Sequence, residues 1–240
     1  MKKILLAAAL LVGAVTVNAQ NDEQKDYNRV GISYNYTNAS FNAIAKMALP
    51  FDGVGLNGVG VDYIHGFSLS SKLPMYIETG INYSYNLGSK DVVYEDEDPA
   101  KYEAKFQGMN FQIPVNYVYR YAINDNMTLA PYVGLNFKLH LTAKAKSKYV
   151  DPDDSANDEE SEWFNLFDKA DMSEAFEDEV DKTLNRFQMG WHVGVGFQYK
   201  PFYVALQYGT DFLPLFSQDT LVGKAKINTG NLKLSFAYSF

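Results

Sequence analysis

Eight stretches of this chain alternate apolar and polar residues with a period of two, and the connections between them alternate long and short. The clearest stretch is 187–199. Phe187, Met189, Trp191, Val193, Val195, Phe197 and Tyr199 share one side, and Gln188, Gly190, His192, Gly194, Gly196 and Gln198 share the other. Successive side chains of a β-strand point to opposite faces, so this pattern predicts a strand with one apolar face. The same alternation runs through 29–37, 55–67, 75–87, 105–121, 128–145, 202–212 and 227–240. Connections 38–53, 88–103, 146–185 and 213–224 are long, whereas 70–74, 124–126 and 200–201 are short. A meander with all its long loops at one end and all its turns at the other is the signature of a membrane β-barrel, with its even strand number and short turns on one side. The expected fold is all-β: an eight-stranded antiparallel up-and-down transmembrane β-barrel with a long, partly helical third external loop.

Alternation alone does not say which face is inside. A soluble β-sandwich or lipocalin-type barrel shows the same period with its apolar face inward. Two features favour the membrane. Leu232, Leu234, Phe236, Tyr238 and Phe240 carry the apolar face of the last stretch to an aromatic final residue. An open strand of that kind is a liability in a soluble sheet, but in a barrel it pairs with the first strand. At the other end, Lys2 and Lys3 precede an apolar run over 4–17, and Val17-Asn-Ala19 supplies the small residues of a cleavage site. That is the layout of a secretory signal peptide, expected over 1–19, with the barrel domain over 20–240. The run is shorter than the ~20 residues of a spanning helix. With 0 Cys there is neither a lipid-anchor cysteine nor a disulfide framework. The 15% aromatic share, 18 Tyr included, suits girdles at both membrane interfaces. The expected location is the outer membrane, integral, with periplasmic termini and extracellular long loops. Loss of Lys2 and Lys3 takes the formal charge from −8 to −10, which argues against nucleic acid.

Four stretches carry a family resemblance. Residues 111–121 (FQIPVNYVYRY), 130–135 (APYVGL), 194–199 (GVGFQY) and 231–240 (NLKLSFAYSF) resemble, in order, strands of the PorT-like outer-membrane β-barrel family of Gram-negative bacteria. The resemblance spans the expected mature chain except the third long loop. It implies a small eight-stranded barrel of the OmpA/OmpX kind. It implies a porin-like character in most members and, in one branch, an accessory role in protein secretion or surface assembly. It carries over no catalytic residue and no cofactor. The aromatic-ended closing strand, Phe236, Tyr238 and Phe240, resembles the signal read by barrel-assembly machinery.

The inward faces hold Arg29, Asp62, Glu78, Arg120, Lys138, Asp211 and Lys233 by parity. Eight strands enclose a lumen just wide enough for side chains, and buried charges must pair. These residues are therefore expected to form an ionic network that plugs the lumen, with Glu78 pairing Arg120. The alternative is a narrow path for ions or small solutes, in which the pairs exchange partners. In the third loop, Asp151, Asp153, Ser155, Asn157, Glu159 and Glu162 match the ligand spacing of a calcium loop. Ala156 stands where that turn needs Gly, and Pro152 stiffens its start, so a solvated acidic tract explains the same residues. Downstream, Ser173 is expected to cap a short helix reaching about Asn185, with Phe176, Val180 and Leu184 as its apolar stripe. Trp163, Phe164, Leu166 and Phe167 add apolar surface, so the loop 146–185 is expected to fold over the barrel mouth or to meet a surface or secretion protein. His65, His140 and His192 form no evident cluster with a nucleophile and a carboxylate. The expected function is non-enzymatic, in contact with outer-membrane lipid.

Overall fold

The structure, a computed structural model, describes residues 25–46, 52–70, 72–93, 101–150, 158–176 and 179–240. The expected signal peptide lies outside them. Eight long strands form the barrel: β1 (Tyr27–Phe41), β2 (Gly53–Ser68), β3 (Met75–Val93), β4 (Lys101–Tyr119), β5 (Met127–Val150), β6 (Phe187–Tyr199), β7 (Phe202–Asp211) and β8 (Gly223–Ser239). Each pairs antiparallel with the next, and β1 pairs β8 from Arg29↔Ser239 to Phe41↔Ile227, which closes the ring. The Asn28 amide and carbonyl exchange hydrogen bonds with the Phe240 carbonyl and amide at 2.8 and 2.9 Å, so pairing continues to the final residue. Among the described residues no helix is long and apolar enough to cross a membrane.

The faces are inverted relative to a soluble barrel. Ile32 is 63% exposed and Val59 66%, while Glu78 is 1% and Lys138 2% exposed. Apolar residues cover the outside because lipid is the solvent there, and polar residues fill the lumen. Tyr63, Tyr117, Tyr119, Tyr199, Phe202 and Tyr238 lie exposed toward the turn end, and Tyr36, Trp191 and Tyr208 toward the loop end. These are the two aromatic belts expected of amphipathic rings at a membrane interface.

Six strands run further toward the loop end than the alternation indicated, and on β1, β8, β4 and β5 the polarity reverses along these extensions. On β1 and β8 the outward series passes from Tyr36 and Leu232 to Asn38, Ser40, Asn228 and Lys226. The inward series becomes Ala39, Phe41, Ala225 and Ile227, and Phe41, Ala45 and Ala225 form a small core there with Ile44 and Ile227. The helix α1 (Ala43–Lys46) supplies Ile44 and Ala45, and Asn42 caps it by accepting the Ala45 amide at 3.0 Å. Between β4 and β5 a bulge marks the same level. Met109 pairs Thr142 and Asn110 pairs His140, so Leu141 is the extra residue. Above it, parity turns Gln107, Lys105 and Glu103 outward with Lys144, Lys146 and Lys148, and turns Phe106, Ala104 and Tyr102 inward with Ala143, Ala145 and Tyr149. Where water replaces hydrocarbon, the sheet regains the ordinary polar-out arrangement.

The third long connection also guards an edge. β6 begins at Phe187, opposite Leu139, so β5 rises above it without that neighbour. Glu159–Glu160 pairs Lys148 and Tyr149, and Phe164–Asn165 pairs Ala145 and Lys144, covering the exposed backbone groups. The helix in this loop differs from expectation. It is α2 (Lys169–Phe176), and Asp168 Oδ1 caps it by accepting the Ala170 amide at 2.9 Å. Ser173 lies inside it and accepts the Val180 amide at 2.9 Å, and 179–185 is irregular. The Asp168 carboxylate meets the positive helix end and takes precedence over a neutral hydroxyl five residues later.

The inversion makes a quantitative expectation. Ile32→Lys, within the apolar belt, should lower unfolding stability in lipid vesicles by about 2–4 kcal/mol, whereas Asn38→Lys, above the inversion, should change it by less than about 1. Denaturant titration followed by Trp fluorescence reads both. Equal effects would place the membrane boundary elsewhere.

Candidate functional site

The inward charges form three ion pairs stacked along the lumen. Nearest the turn end, Arg29 Nη2 lies 2.6 Å from Glu78 Oε1. Tyr27 donates its hydroxyl to the same carboxylate, and Asn116 Nδ2 donates to Glu78 Oε2 at 3.3 Å. The Arg29 guanidinium rests 3.9 Å from the ring centroid of Tyr203. Next, Lys233 bonds Asp62, whose Oδ1 also accepts Asn82 Nδ2 at 2.9 Å. Toward the loop end, Lys138 Nζ meets Asp211 Oδ2 at 2.7 Å, and Thr229 donates to that same oxygen. Gln188 joins Thr229 at 2.9 Å to His140 at 2.7 Å. Each pair spans different strands, so the network cross-links the barrel through its interior. Buried charges persist only when paired and hydrogen-bonded, and these meet both conditions.

Six of the seven charges placed inward by parity are therefore gathered into pairs. The expected Glu78–Arg120 pair is not among them. Arg120 follows the last residue of β4, its guanidinium carbon 4.2 Å from the Tyr27 ring centroid, and it donates to Gln198 Oε1 at 2.6 Å. The Tyr27 ring packs against Arg120, and Arg29, deeper on β1, reaches Glu78 instead. Parity also puts Tyr27, Tyr132 and Tyr203 inside, though their bulk and hydrophobicity do not mark them in the sequence as lumen residues. Glycines make room for all three rings: a Cβ on Gly66 would overlap Tyr27, one on Gly194 would overlap Tyr132, and one on Gly196 would overlap Tyr203.

A cavity of about 50 Å³ lies between the two lower pairs, lined in part by Asp62, Asn82, Asn136 and Lys233. Asp62 Oδ2, Asn82 Oδ1 and Asn136 Oδ1 are buried without a protein partner. Three acceptors around a void of this size suit a cluster of about three to five waters.

The histidines serve as network members. His192 Nε2 lies 2.6 Å from Asn116 Oδ1, His140 Nε2 lies 2.7 Å from Gln188 Oε1, and His65 Nδ1 lies 2.8 Å from Asn28 Oδ1. Among the described residues no serine or threonine hydroxyl hydrogen-bonds these rings. Of the calcium spacing, Asp151, Asp153, Ser155 and Asn157 lie outside the described residues. Glu159 pairs Tyr149 through the backbone and Glu162 is exposed.

Above the membrane level the outer face of β4 and β5 carries its own charge ladder. Glu160 reaches Lys146 at 2.6 Å and Lys105 at 3.5 Å, and Lys148 reaches Asp158 at 2.6 Å. The hydrogen bond from Lys146 holds the Glu160 carboxyl below its ordinary value, and the one that Lys148 donates to Asp158 holds the Lys148 ammonium above its own. The mouth itself is partly covered: Phe167 stands 6.4 Å from His140 between ring centroids, with the Arg186 guanidinium 4.3 Å from the Phe167 ring.

A family model described as the outer membrane protein beta-barrel domain matches residues 7–240. No curated protein matches the chain. Solved structures similar to it are small outer-membrane barrels. Ail of Yersinia pestis, the attachment invasion locus protein, is 14% identical, covers 90% of this chain and 100% of its own, and has a TM-score of 0.37. Neisserial surface protein A is 11% identical, with 89% and 97% covered and a TM-score of 0.38. The outer membrane protein OprG of Pseudomonas aeruginosa is 11% identical, with 93% and 99% covered and a TM-score of 0.41.

Two outcomes follow from the charges. Glu78→Gln leaves the Arg29 guanidinium buried without a counter-charge and should lower stability in vesicles by about 3–5 kcal/mol. A loss under about 1 kcal/mol would mean that water reaches and solvates Arg29. The second concerns the loop ladder and pH. Glu160 has a lowered folded value, so its contribution is present above the ordinary glutamate value of 4.5 and fades as pH falls through the folded one. Lys148 has a raised folded value, so its contribution is present below the ordinary lysine value of 10.5 and fades as pH rises through the folded one. Amide exchange at Ser161, which donates to the Ser147 carbonyl at 2.8 Å, should be slowest at neutral pH after correction for intrinsic rates. It should quicken toward acid and toward strong base, and a flat profile would show that the ladder does not hold the loop.

Proposed function

The chain belongs to the outer membrane protein beta-barrel domain family, and on that premise we propose that it is a non-enzymatic barrel whose lumen is plugged and whose loop end meets partners. The observation that carries the plug is the stack of three buried ion pairs across the lumen, which leaves a cavity of only about 50 Å³ between the lower two. A partner role for the loop end is supported by the extended strands, by the small core around Phe41 and Ala225, and by the loop that seals the β5 edge. The strands build structure beyond the belt that lipid burial requires. In this reading the turns and termini face the periplasm, and the loops face outward. The partner is a surface or secretion protein, met through residues 146–185. A second reading, a narrow path for ions or small solutes, draws support from the orphaned oxygens around the lumen cavity.

Planar-bilayer recording separates the two readings. The purified barrel should give no stable steps, and neither should a variant with 151–181 replaced by a Gly/Ser linker, because the plug is built from strand residues. Salt-dependent steps from both proteins would favour the path and sink the plug. The same linker variant should retain the heat-modifiable gel shift of a folded barrel, since closure is made by the eight strands. It should also lose the surface partner that the full chain retains in a pull-down from cells.

Phe236, Tyr238 and Phe240 are 49, 50 and 64% exposed on the lipid face of β8. We assign them to recognition by the assembly machinery. Burial of a Phe is worth about 1.5–3 kcal/mol, which a closed barrel tolerates. Deleting Phe240 should therefore reduce barrel levels in cells far more than it lowers the unfolding midpoint of refolded protein. Proportionate losses in the two assays would mean that it acts through stability alone.

A further inference from the structure

At its turn end the barrel opens into a vestibule of about 650 Å³ whose lining includes Lys25, Asp26, Tyr27, Tyr76, Arg120 and Gln198. Arg120 differs from every other charge in the inward series. The other six are matched as three pairs, whereas among the described residues no carboxylate lies within ion-pairing distance of Arg120. Glu78 and Asp26, acids at this end of the barrel, are engaged elsewhere. Glu78 is held by Arg29, Tyr27 and Asn116. Asp26 accepts the Ser68 amide through Oδ1 at 2.8 Å, and its Oδ2 lies 3.9 Å from His65 Nε2.

The guanidinium is nevertheless held in place. Its central carbon is 4.2 Å from the ring centroid of Tyr27 and 5.5 Å from that of Tyr76, and Nη2 donates to Gln198 Oε1 at 2.6 Å. The Arg120 amide donates to the Pro74 carbonyl at 2.8 Å, which anchors the backbone at the rim. A guanidinium has five N–H donors, and one of them goes to Gln198. Aromatic faces stabilise the cation without using its edge, where a planar fork meets a carboxylate or phosphate. Lys25 adds a second positive charge to the vestibule wall.

We propose that this vestibule is an oxyanion-binding site, in which Arg120 receives the carboxylate or phosphate group of a solute or chain end from the turn-end compartment. The site lies outside the Arg29–Glu78 pair and shares the Tyr27 ring with it.

The chain contains three arginines, Arg29, Arg120 and Arg186, so side-chain Nε–H spectra of 15N-arginine-labelled barrel in nanodiscs hold three signals. Sodium phosphate and sodium acetate are titrated against sodium chloride at matched ionic strength. The signal that disappears in Arg120→Gln should shift saturably with phosphate, with acetate or with both, and not with chloride. A response to only one identifies the group recognised. Arg120→Lys keeps the charge but loses the fork, and should weaken binding by about tenfold, or ~1.4 kcal/mol. Gln198→Glu supplies a carboxylate to Arg120 from within, and should abolish the titration while the heat-modifiable band persists. A chloride response equal to the others, an unmoved Arg120 signal, or a Gln198→Glu barrel that titrates as the wild type would overturn the proposal.

Discussion

Closure of β1 against β8 is the constraint on which the rest of this structure depends. In hydrocarbon no water is present to bond a free backbone amide or carbonyl, and each unsatisfied group costs several kcal/mol. The pairing from Arg29↔Ser239 to Phe41↔Ile227 removes the two edges that an eight-stranded sheet would otherwise present to lipid. Once the ring is closed, the pleat leaves each residue only two directions. One leads to the acyl chains and the other to a lumen too narrow for bulk water. The apolar outside and the crowded polar inside both follow from that choice.

The crowding explains why the lumen chemistry takes the form of pairs. Glu78 at 1% exposure and Lys138 at 2% would be costly to bury as unpaired charges. Each meets a counter-charge from another strand, and the amide, hydroxyl and imidazole groups around them take up further hydrogen bonds. The glycines on the same faces are the counterpart of this filling, because the rings of Tyr132 and Tyr203 sit where a Cβ of Gly194 or Gly196 would be. Above the membrane level the pressure reverses. Lysines appear on the outer face of β5, while Phe41, Ala225 and Ile227 gather inside, since water there solvates the outside and apolar groups gain by facing each other.

Much of this was legible residue by residue. The alternation over 187–199 matches β6 at both ends, and the short and long connections order all eight strands. Of the charges put inside by parity, Arg29, Asp62, Glu78, Lys138 and Asp211 are buried, and Lys233 pairs with Asp62. Partnership was not legible. Glu78 lies on β3 and Arg120 just past the end of β4, yet the Tyr27 ring of β1 packs against Arg120 and Arg29 takes the carboxylate. The helix of the third loop is capped by Asp168 rather than by the expected Ser173, because the Asp168 carboxylate accepts the Ala170 amide and Ser173 lies inside the helix.

The sequence by itself determined the period of two, the number of strands, the direction of each side chain and the apolar surface that demands lipid. These are local properties, set by the pleat and by the chemistry of single residues. The tertiary structure decided which charges meet, how little space the lumen keeps, where the outer face changes from lipid-facing to water-facing, and that Arg120 pairs with no carboxylate among the described residues at the turn-end mouth. Those outcomes depend on the relative stagger of strands distant in the chain, as Arg29 on β1 with Glu78 on β3 and Lys138 on β5 with Asp211 on β7 illustrate. A shift of one pair in that stagger would change every partner while leaving each strand's own pattern intact.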